Sequence, residues 1–127
     1  MAFTLSMAEI LTREWVGKKW VIRGDNTNYA NLEWVDESDK PTEQALLDAE
    51  LVAAKAKRIA EVKTEAQERI YATYPAWKQD DCALGFFDES TTTAIKSGIN
   101  AVRTASNTAE SDINALETVV AVMAFTW

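Results

Sequence analysis

The chain has no histidine, one cysteine and few glycines or prolines among its 127 residues. Without histidine, the commonest general base and metal ligand are missing, and no Ser–His or Cys–His nucleophilic pair can form. The single cysteine, Cys82, excludes an internal disulfide, and we interpret it as a small apolar residue. No apolar run approaches the ~20 residues of a membrane span, and no signal peptide is recognisable, so we expect no membrane partner.

Basic residues are also scarce, with 13 Lys and Arg against 20 Asp and Glu, which gives a net charge of −7. From Gln79 onwards, only Lys96 and Arg103 oppose seven acidic residues. Because a surface of this sign repels polyanions, we expect no nucleic-acid partner.

One group of carboxylates has the composition that acid–base chemistry requires: Asp80, Asp81, Asp88 and Glu89. The sequence offers neither an opposing cleft nor an activated nucleophile beside it. We therefore predict that the chain is not an enzyme and that it has no catalytic residue, no metal site and no cofactor.

The first forty residues predict a short helix and a β-hairpin. Ser6 and Glu9 have the spacing of a capping box, apolar residues follow at helical intervals, and Gly17 ends a helix of about residues 7–16. Lys18–Arg23 and Asn31–Val35 are β-branched and aromatic runs on either side of a turn rich in Gly, Asn and Asp. These two runs predict the strands of the hairpin.

A long helix is predicted from the N-cap Thr42 to about Tyr74, because this segment lacks Gly and Pro and is rich in Ala, Glu, Lys and Leu. Its apolar residues form a narrow stripe: Ala45, Ala49, Val52, Ala56, Ile59, Ala66 and Ile70. Pro75 ends this helix, and residues 75–90 are predicted to be a turn. A second long helix is predicted to begin at residue 88 or 90 and to end at about residue 123.

The strongest pattern in the chain is a heptad seam in the second helix, with apolar or small residues at alternating intervals of four and three. It comprises Ile95, Ile99, Val102, Ser106, Ala109, Ile113, Leu116, Val120 and Met123. Such a seam lies against another helix, either the preceding helix of the same chain or a helix of a neighbouring chain, and both alternatives are open. Gly98 indicates a close backbone contact, because glycine is about 1 kcal/mol less favourable than alanine inside a helix.

Five tryptophans are more than so thin a core needs, and tryptophan is favoured at protein interfaces. We therefore expect partner subunits to complete the core. The interface candidates are Trp20, Trp34, Trp77, Phe86, Phe87, Ile95, Ile99, Val102, Ile113, Leu116, Val120 and Trp127.

These elements predict a mainly α (α+β) fold. A short N-terminal helix and β-hairpin precede a long antiparallel helical hairpin with coiled-coil character. We expect two domains, a small helix-plus-hairpin module at residues 1–40 and the helical hairpin at residues 41–127.

Four segments of the sequence resemble those of a known group of proteins: Trp20-Val-Ile-Arg-Gly-Asp25, Asn31-Leu-Glu-Trp34, Lys40-Pro-Thr-Glu43 and Arg69-Ile-Tyr-Ala-Thr-Tyr-Pro-Ala-Trp-Lys-Gln79. In this order and layout, the chain resembles the small tail-module and tail-fibre-associated proteins of tailed bacteriophages. The resemblance implies a non-enzymatic structural or adaptor protein of the virion, in the tail or tail-fibre region, made in the host cytoplasm.

The same resemblance implies that the partners are other phage structural proteins, with the tail fibre among the candidates, in a homo-oligomer or symmetric assembly. The alternative that it leaves open is a tail-fibre-assembly chaperone, which is absent from the mature particle.

Overall fold

A computed structural model describes residues 3–127 and confirms the predicted fold class. The elements in chain order are α1 (Met7–Glu14), β1 (Trp20–Ile22), β2 (Leu32–Trp34), α2 (Glu43–Thr73), α3 (Ala76–Ala83), α4 (Glu89–Ala115) and α5 (Val119–Met123). A 3₁₀ turn, Tyr29–Asn31, precedes β2. The chain forms two compact units: the first holds the described residues up to Lys57 together with Leu116–Phe125, and the second holds Arg58–Ala115 with the last two residues.

Helix α1 begins where the sequence predicts, because the Ser6 hydroxyl accepts a hydrogen bond from the main-chain N–H of Glu9 at 3.2 Å. The Glu9 carboxylate pairs with the Lys57 ammonium at 3.2 Å instead of reaching back to Ser6. Trp15 caps the C-terminus of the helix, and Gly17 follows with a φ of +79°, a conformation that favours glycine.

The predicted β-hairpin is present. Its strands are antiparallel, with Trp20 opposite Trp34 and Ile22 opposite Leu32. These four side chains share one face of the hairpin, because side chains alternate along a strand.

The core of the first unit consists of apolar side chains from both ends of its sequence: Phe3, Leu5, Met7, Ile10, Leu11, Leu32, Leu46, Ala53, Ala54 and Val122. Glu50 is also buried, with 6% of the residue exposed. Its carboxylate accepts hydrogen bonds from the main-chain N–H groups of Thr4 (2.8 Å) and Leu5 (3.1 Å). These bonds satisfy a polar group that would otherwise be costly to bury.

The predicted apolar stripe is wrong in the first half of α2. Val52 is 55% exposed and Ala56 is also exposed. The buried face instead carries Leu46, Glu50 and Ala53, whose spacing of four and three is also helical. The pattern was misassigned because a carboxylate stands at one of the inward positions.

The second unit contains an antiparallel helical hairpin formed by the later turns of α2 and by α4. Near the segment that connects the two helices (residues 74–88, hereafter the bend), Tyr74 contacts Gly98. Farther from the bend, the Lys63 ammonium lies 3.4 Å from a Glu110 carboxylate oxygen. The buried residues of this unit are Val62, Ala66, Cys82, Ile95, Ser106, Ala109 and Ile113. Four of them belong to the heptad seam, so this part of the seam is buried within the chain.

The segment after Pro75 differs from the prediction, since residues 76–83 form α3 instead of a turn. The main-chain N–H groups of Lys78 and Gln79 both donate to the Pro75 carbonyl, at 2.9 and 3.1 Å. Proline disfavours a helix that continues through it, but it is well tolerated where a new helix begins.

Helix α4 ends at Ala115 instead of continuing to Met123, so the second predicted boundary is also wrong. Thr118 is extended, and its hydroxyl accepts from the Ala121 N–H at 3.2 Å, which caps the separate helix α5. The seam is consequently interrupted beyond Ile113. Val120 is 67% exposed, whereas Val122, outside the seam, is fully buried.

Candidate functional site

Helix α3 ends in a Schellman motif at Gly85, whose φ is +81°. The Phe86 N–H donates to the Asp81 carbonyl (3.0 Å), and the Gly85 N–H donates to the Cys82 carbonyl (3.3 Å). In such motifs, the residue at the Phe86 position commonly contacts an apolar side chain in the last helical turn. The corresponding helical residues here are Asp80 and Asp81, so the helix offers no apolar partner to the phenyl ring, and Phe86 is 74% exposed.

Two more large apolar side chains close to Phe86 in the sequence are also exposed, Trp77 (60%) on α3 and Leu84 (70%) at its C-terminal cap. These three exposed side chains are hereafter the bend surface. Leu84 is the C-cap residue of α3 and has helical backbone angles, so it lies on the same side of the helix as Trp77, seven residues earlier. A whole aromatic side chain has an area of about 150–250 Å². Multiplied by the exposed fractions, areas of this size give on the order of 400 Å² of exposed surface for the three side chains. Patches of this size on a single chain are often binding sites.

Four carboxylates accompany the bend surface, on α3 or at the start of α4: Asp80, Asp81, Asp88 and Glu89. The Asp88 carboxylate caps α4 by accepting from the Thr91 N–H at 2.7 Å. That bond, together with one from the Thr91 hydroxyl, holds the pKa of Asp88 below its usual value. The Lys78 ammonium lies 6.0 Å from the centre of the Trp77 ring. The bend surface thus combines an apolar centre with a net negative border.

A second apolar surface, hereafter the hairpin groove, lies in the first unit between the end of α1 and the β-hairpin. Its volume is about 540 Å³, and its lining includes Trp15, Val16, Lys18, Lys19, Val21 and Val35 but no carboxylate. Val16 is 76% exposed and Val35 is 54% exposed. The Lys18 ammonium lies 3.9 Å from an Asp36 carboxylate oxygen, whereas Lys19 makes no ion pair with any of residues 3–127.

The two tryptophans of the β-hairpin are both half-buried. Trp20 lies opposite Trp34, and the Trp34 indole N–H donates to the Ser38 carbonyl at 2.8 Å. Their proposed contact with other subunits stays a prediction.

The interface candidates from the heptad seam occupy different environments. Ile95 and Ile113 are buried inside the second unit and are not available to a partner in this fold. The half-buried candidates are Ile99, Val102 and Leu116, together with Phe87 in the bend. Val120 is exposed on α5.

Trp127 contacts side chains of α2 in the second unit. The Arg69 guanidinium lies 3.7 Å from the centre of its ring and donates to its main-chain oxygen at 2.7 Å. The Trp127 indole N–H donates to the Glu65 carboxylate at 3.2 Å, and Arg58 donates to the same carboxylate at 3.0 Å. The bond from Arg58, followed by that from Trp127, holds the pKa of Glu65 below its usual value although burial opposes the shift.

A third concave surface, of about 420 Å³, lies between α2 and α4 of the second unit. Its lining is mixed and includes the polar residues Lys63, Gln67, Tyr71, Arg103, Ser106 and Asn107. None of its lining residues is a carboxylate or a cysteine. It therefore offers hydrogen-bonding groups and positive charge.

The sequence prediction missed Leu84 on the bend surface and Val16 and Val35 in the hairpin groove. The interval from Trp77 to Leu84 was available as a signal, but it becomes meaningful only once residues 76–83 are recognised as a helix. Val16 and Val35 carry no comparable signal, because each lies just outside a regular element.

Within residues 3–127, no group of three or more Cys, Asp or Glu side chains is arranged to hold a metal ion. None of the helices in this range combines the length and hydrophobicity that crossing a bilayer requires. No protein-family model, curated protein or solved structure matches the chain, and its function must therefore be inferred from its own residues and their geometry.

Proposed function

We propose that this chain is a non-enzymatic structural or adaptor protein of a bacteriophage virion, in the tail or tail-fibre region, that binds other subunits through exposed apolar surfaces. The observation that carries the adaptor role is the bend surface. Leaving a large apolar side chain in water forgoes about 1.5–3 kcal/mol relative to burying it. A partner that covers Trp77, Leu84 and Phe86 recovers this free energy.

The Schellman motif adds a second reason to assign the bend surface to binding. Phe86 contributes little to the stability of α3, because the helix provides only Asp80 and Asp81 where an apolar contact is usual. A residue that breaks a local rule without a local gain is typical of a functional position.

The assignment to a phage particle is supported by the resemblance of four segments to tail-module and tail-fibre-associated proteins. Residues 20–25 form β1 and the turn after it, and residues 31–34 form β2. Residues 40–43 lead into α2, and residues 69–79 span the junction between α2 and α3. The likeness therefore involves both the β-hairpin and the bend.

The proposal is tested by mass spectrometry of particles purified from the phage that encodes the chain. We expect the protein in mature particles, and we expect Leu84→Ser/Phe86→Ser to abolish its incorporation while circular dichroism shows intact helices. Val52→Ser, which places the same polar residue at an exposed apolar position outside the bend surface, serves as the matched control and should be incorporated normally.

Absence of the wild-type protein from particles would reject the virion role. If it were instead recovered from lysates in complex with the tail fibre, the assembly-chaperone alternative would replace the virion role.

A further inference from the structure

We propose that the bend surface of one copy of this chain docks into the hairpin groove of a second copy, which makes a head-to-tail assembly. The observation behind this proposal is that two exposed apolar surfaces, the bend surface and the hairpin groove, carry charged side chains of opposite sign: mainly carboxylates beside the bend surface and lysines in the lining of the groove. Both surfaces belong to residues that the structure describes, each within its own unit.

The chemistry of the two surfaces is complementary. The bend surface presents Trp77, Leu84 and Phe86 as protruding anchors beside carboxylates. The hairpin groove is concave, with apolar walls and two lysines in its lining, and its volume of about 540 Å³ lies within the range that binding clefts occupy. Aromatic anchors that fill an apolar pocket, with opposite charges at the rim, are typical of specific protein interfaces.

Charge also decides which pairing is favoured. Two bend surfaces facing each other would bring together eight carboxylates, four from each copy, against two copies of Lys78. Two hairpin grooves facing each other would bring four lysine side chains together against two copies of Asp36, which pairs with Lys18, and the Lys19 side chains have no ion pair within residues 3–127. Like charges that face each other across an interface are unfavourable. Pairing the bend surface with the hairpin groove avoids both repulsions, because it places carboxylates opposite lysines.

The exposed area is compatible with an interface of this kind. The anchors of the bend surface expose on the order of 400 Å², about half of the ~800 Å² that each partner contributes to a standard interface. The remainder must come from the polar rim. An interface between two different surfaces of the same chain is heterologous, so repeated docking closes a ring or extends a filament.

The first experiment measures the molar mass of the full chain by light scattering and sedimentation over a wide range of concentration. At low ionic strength we expect the mass to rise with concentration beyond a dimer, and added salt should weaken this association because it screens the rim charges. A monomer at every concentration and ionic strength would overturn the proposal.

The second experiment separates heterologous from symmetric pairing. Leu84→Ser/Phe86→Ser disables the bend surface, and Val16→Ser/Val35→Ser disables the hairpin groove. Each variant alone should associate at least about tenfold more weakly than wild type, since each removes central apolar contacts. An equimolar mixture should form a one-to-one heterodimer that does not grow, because one intact bend surface meets one intact groove.

Two results would contradict this pairing. If either variant alone associates as strongly as wild type, then the surface that it disables is not used. If the mixture associates no better than its components, then the two surfaces do not bind each other. Val52→Ser is the matched control and should associate like wild type.

A charge-reversal pair keeps the test independent of any loss of packing. Asp80→Lys and Lys19→Glu should each weaken association by about tenfold, and the chain that carries both should recover it. Failure of this recovery would count against docking of bend to groove.

The inference deepens the proposed structural role and rests on it for its biological meaning. Its experiments use the isolated chain, whereas the structural role is tested by the composition of particles. A chain that is found in virions but never self-associates would overturn the docking alone.

Discussion

The ring of Tyr74 fills the space in which a side chain at Gly98 would begin. A Cβ atom on residue 98 would overlap the Tyr74 hydroxyl and lie 2.6 Å from the Cζ atom of the ring. Tyr74 follows the last residue of α2, and Gly98 lies inside α4, so this contact holds the two helices together next to the bend. The sequence predicts a close backbone contact at Gly98, and in the structure the group that approaches the Gly98 backbone is the Tyr74 side chain.

We expect Gly98→Ala to lower the free energy of unfolding by about 1 kcal/mol in urea denaturation. Overlap of this kind costs about 1–3 kcal/mol, of which the better helix propensity of alanine offsets about 1 kcal/mol. In a Tyr74→Ala background the same substitution should become stabilising, because only the propensity effect is left. Ser97→Ala, at the exposed neighbouring position, is the control for propensity alone. Stabilisation by Gly98→Ala in the wild-type background would show that the ring moves aside at little cost.

Glu50→Ala should destabilise the first unit by about 2 kcal/mol, because it leaves the buried N–H group of Leu5 and the part-buried N–H group of Thr4 without their acceptor. Glu50→Gln should be milder, since its amide oxygen can still accept. Asp48→Ala, at an exposed position of the same helix, is the control. It should change the free energy of unfolding by less than about 1 kcal/mol, as is usual for surface substitutions. Equal effects of the alanine and glutamine variants would argue against the role of these hydrogen bonds.

The pairing of Glu65 with Arg58 and Trp127 predicts a pH-dependent contribution to stability. Because the pKa of Glu65 is lowered from 4.5 in the folded chain, the contribution is complete above that value and is lost as the pH falls through the depressed pKa. The Glu65 side chain is 38% exposed, so we expect a contribution of less than about 1 kcal/mol. Urea denaturation should show wild type more stable than Glu65→Gln at pH 7, with the difference vanishing in acid. Glu68→Gln is the control, and a difference independent of pH would contradict the prediction.

The cap at Thr118 should be measurable in thermal unfolding. Thr118→Ala removes the acceptor of the Ala121 N–H and should cost about 1 kcal/mol, the usual value of an N-cap. Thr118→Asp keeps an acceptor at the same position and should retain most of the stability. If aspartate were no better than alanine, the hydrogen bond to Ala121 would not be what stabilises the start of α5.

Local signals were sufficient for most of the secondary structure. The Ser6 cap, the β-branched strands and the absence of Gly and Pro through α2 each act within a few residues, and the structure has elements where they predict them. Helix α3 was missed because Pro75 both ends one helix and begins another, and the sequence alone favours neither effect.

The predicted heptad seam and the predicted apolar stripe of α2 both fail where contacts between residues distant in the sequence decide which side chains are buried. Continuing α4 past Ala115 would satisfy the heptad spacing, but the chain instead buries Val122 in the first unit. Glu50 turns inward because it receives hydrogen bonds from residues more than forty positions earlier. Two residues of the bend surface, Trp77 and Phe86, are among the interface candidates from the sequence. Leu84 is not among them, because its place beside Trp77 follows only once α3 is known to be a helix.

The main-chain hydrogen bonds at Gly85 have a further consequence for binding. They fix the backbone of Phe86 in the free chain, although the ring itself is 74% exposed. A partner that covers the ring therefore has to immobilise only its side-chain torsions, at about 0.5–1.5 kcal/mol, and does not have to order a loop as well. The turn is thus preorganised for binding, and most of the free energy from burying the ring is available as affinity.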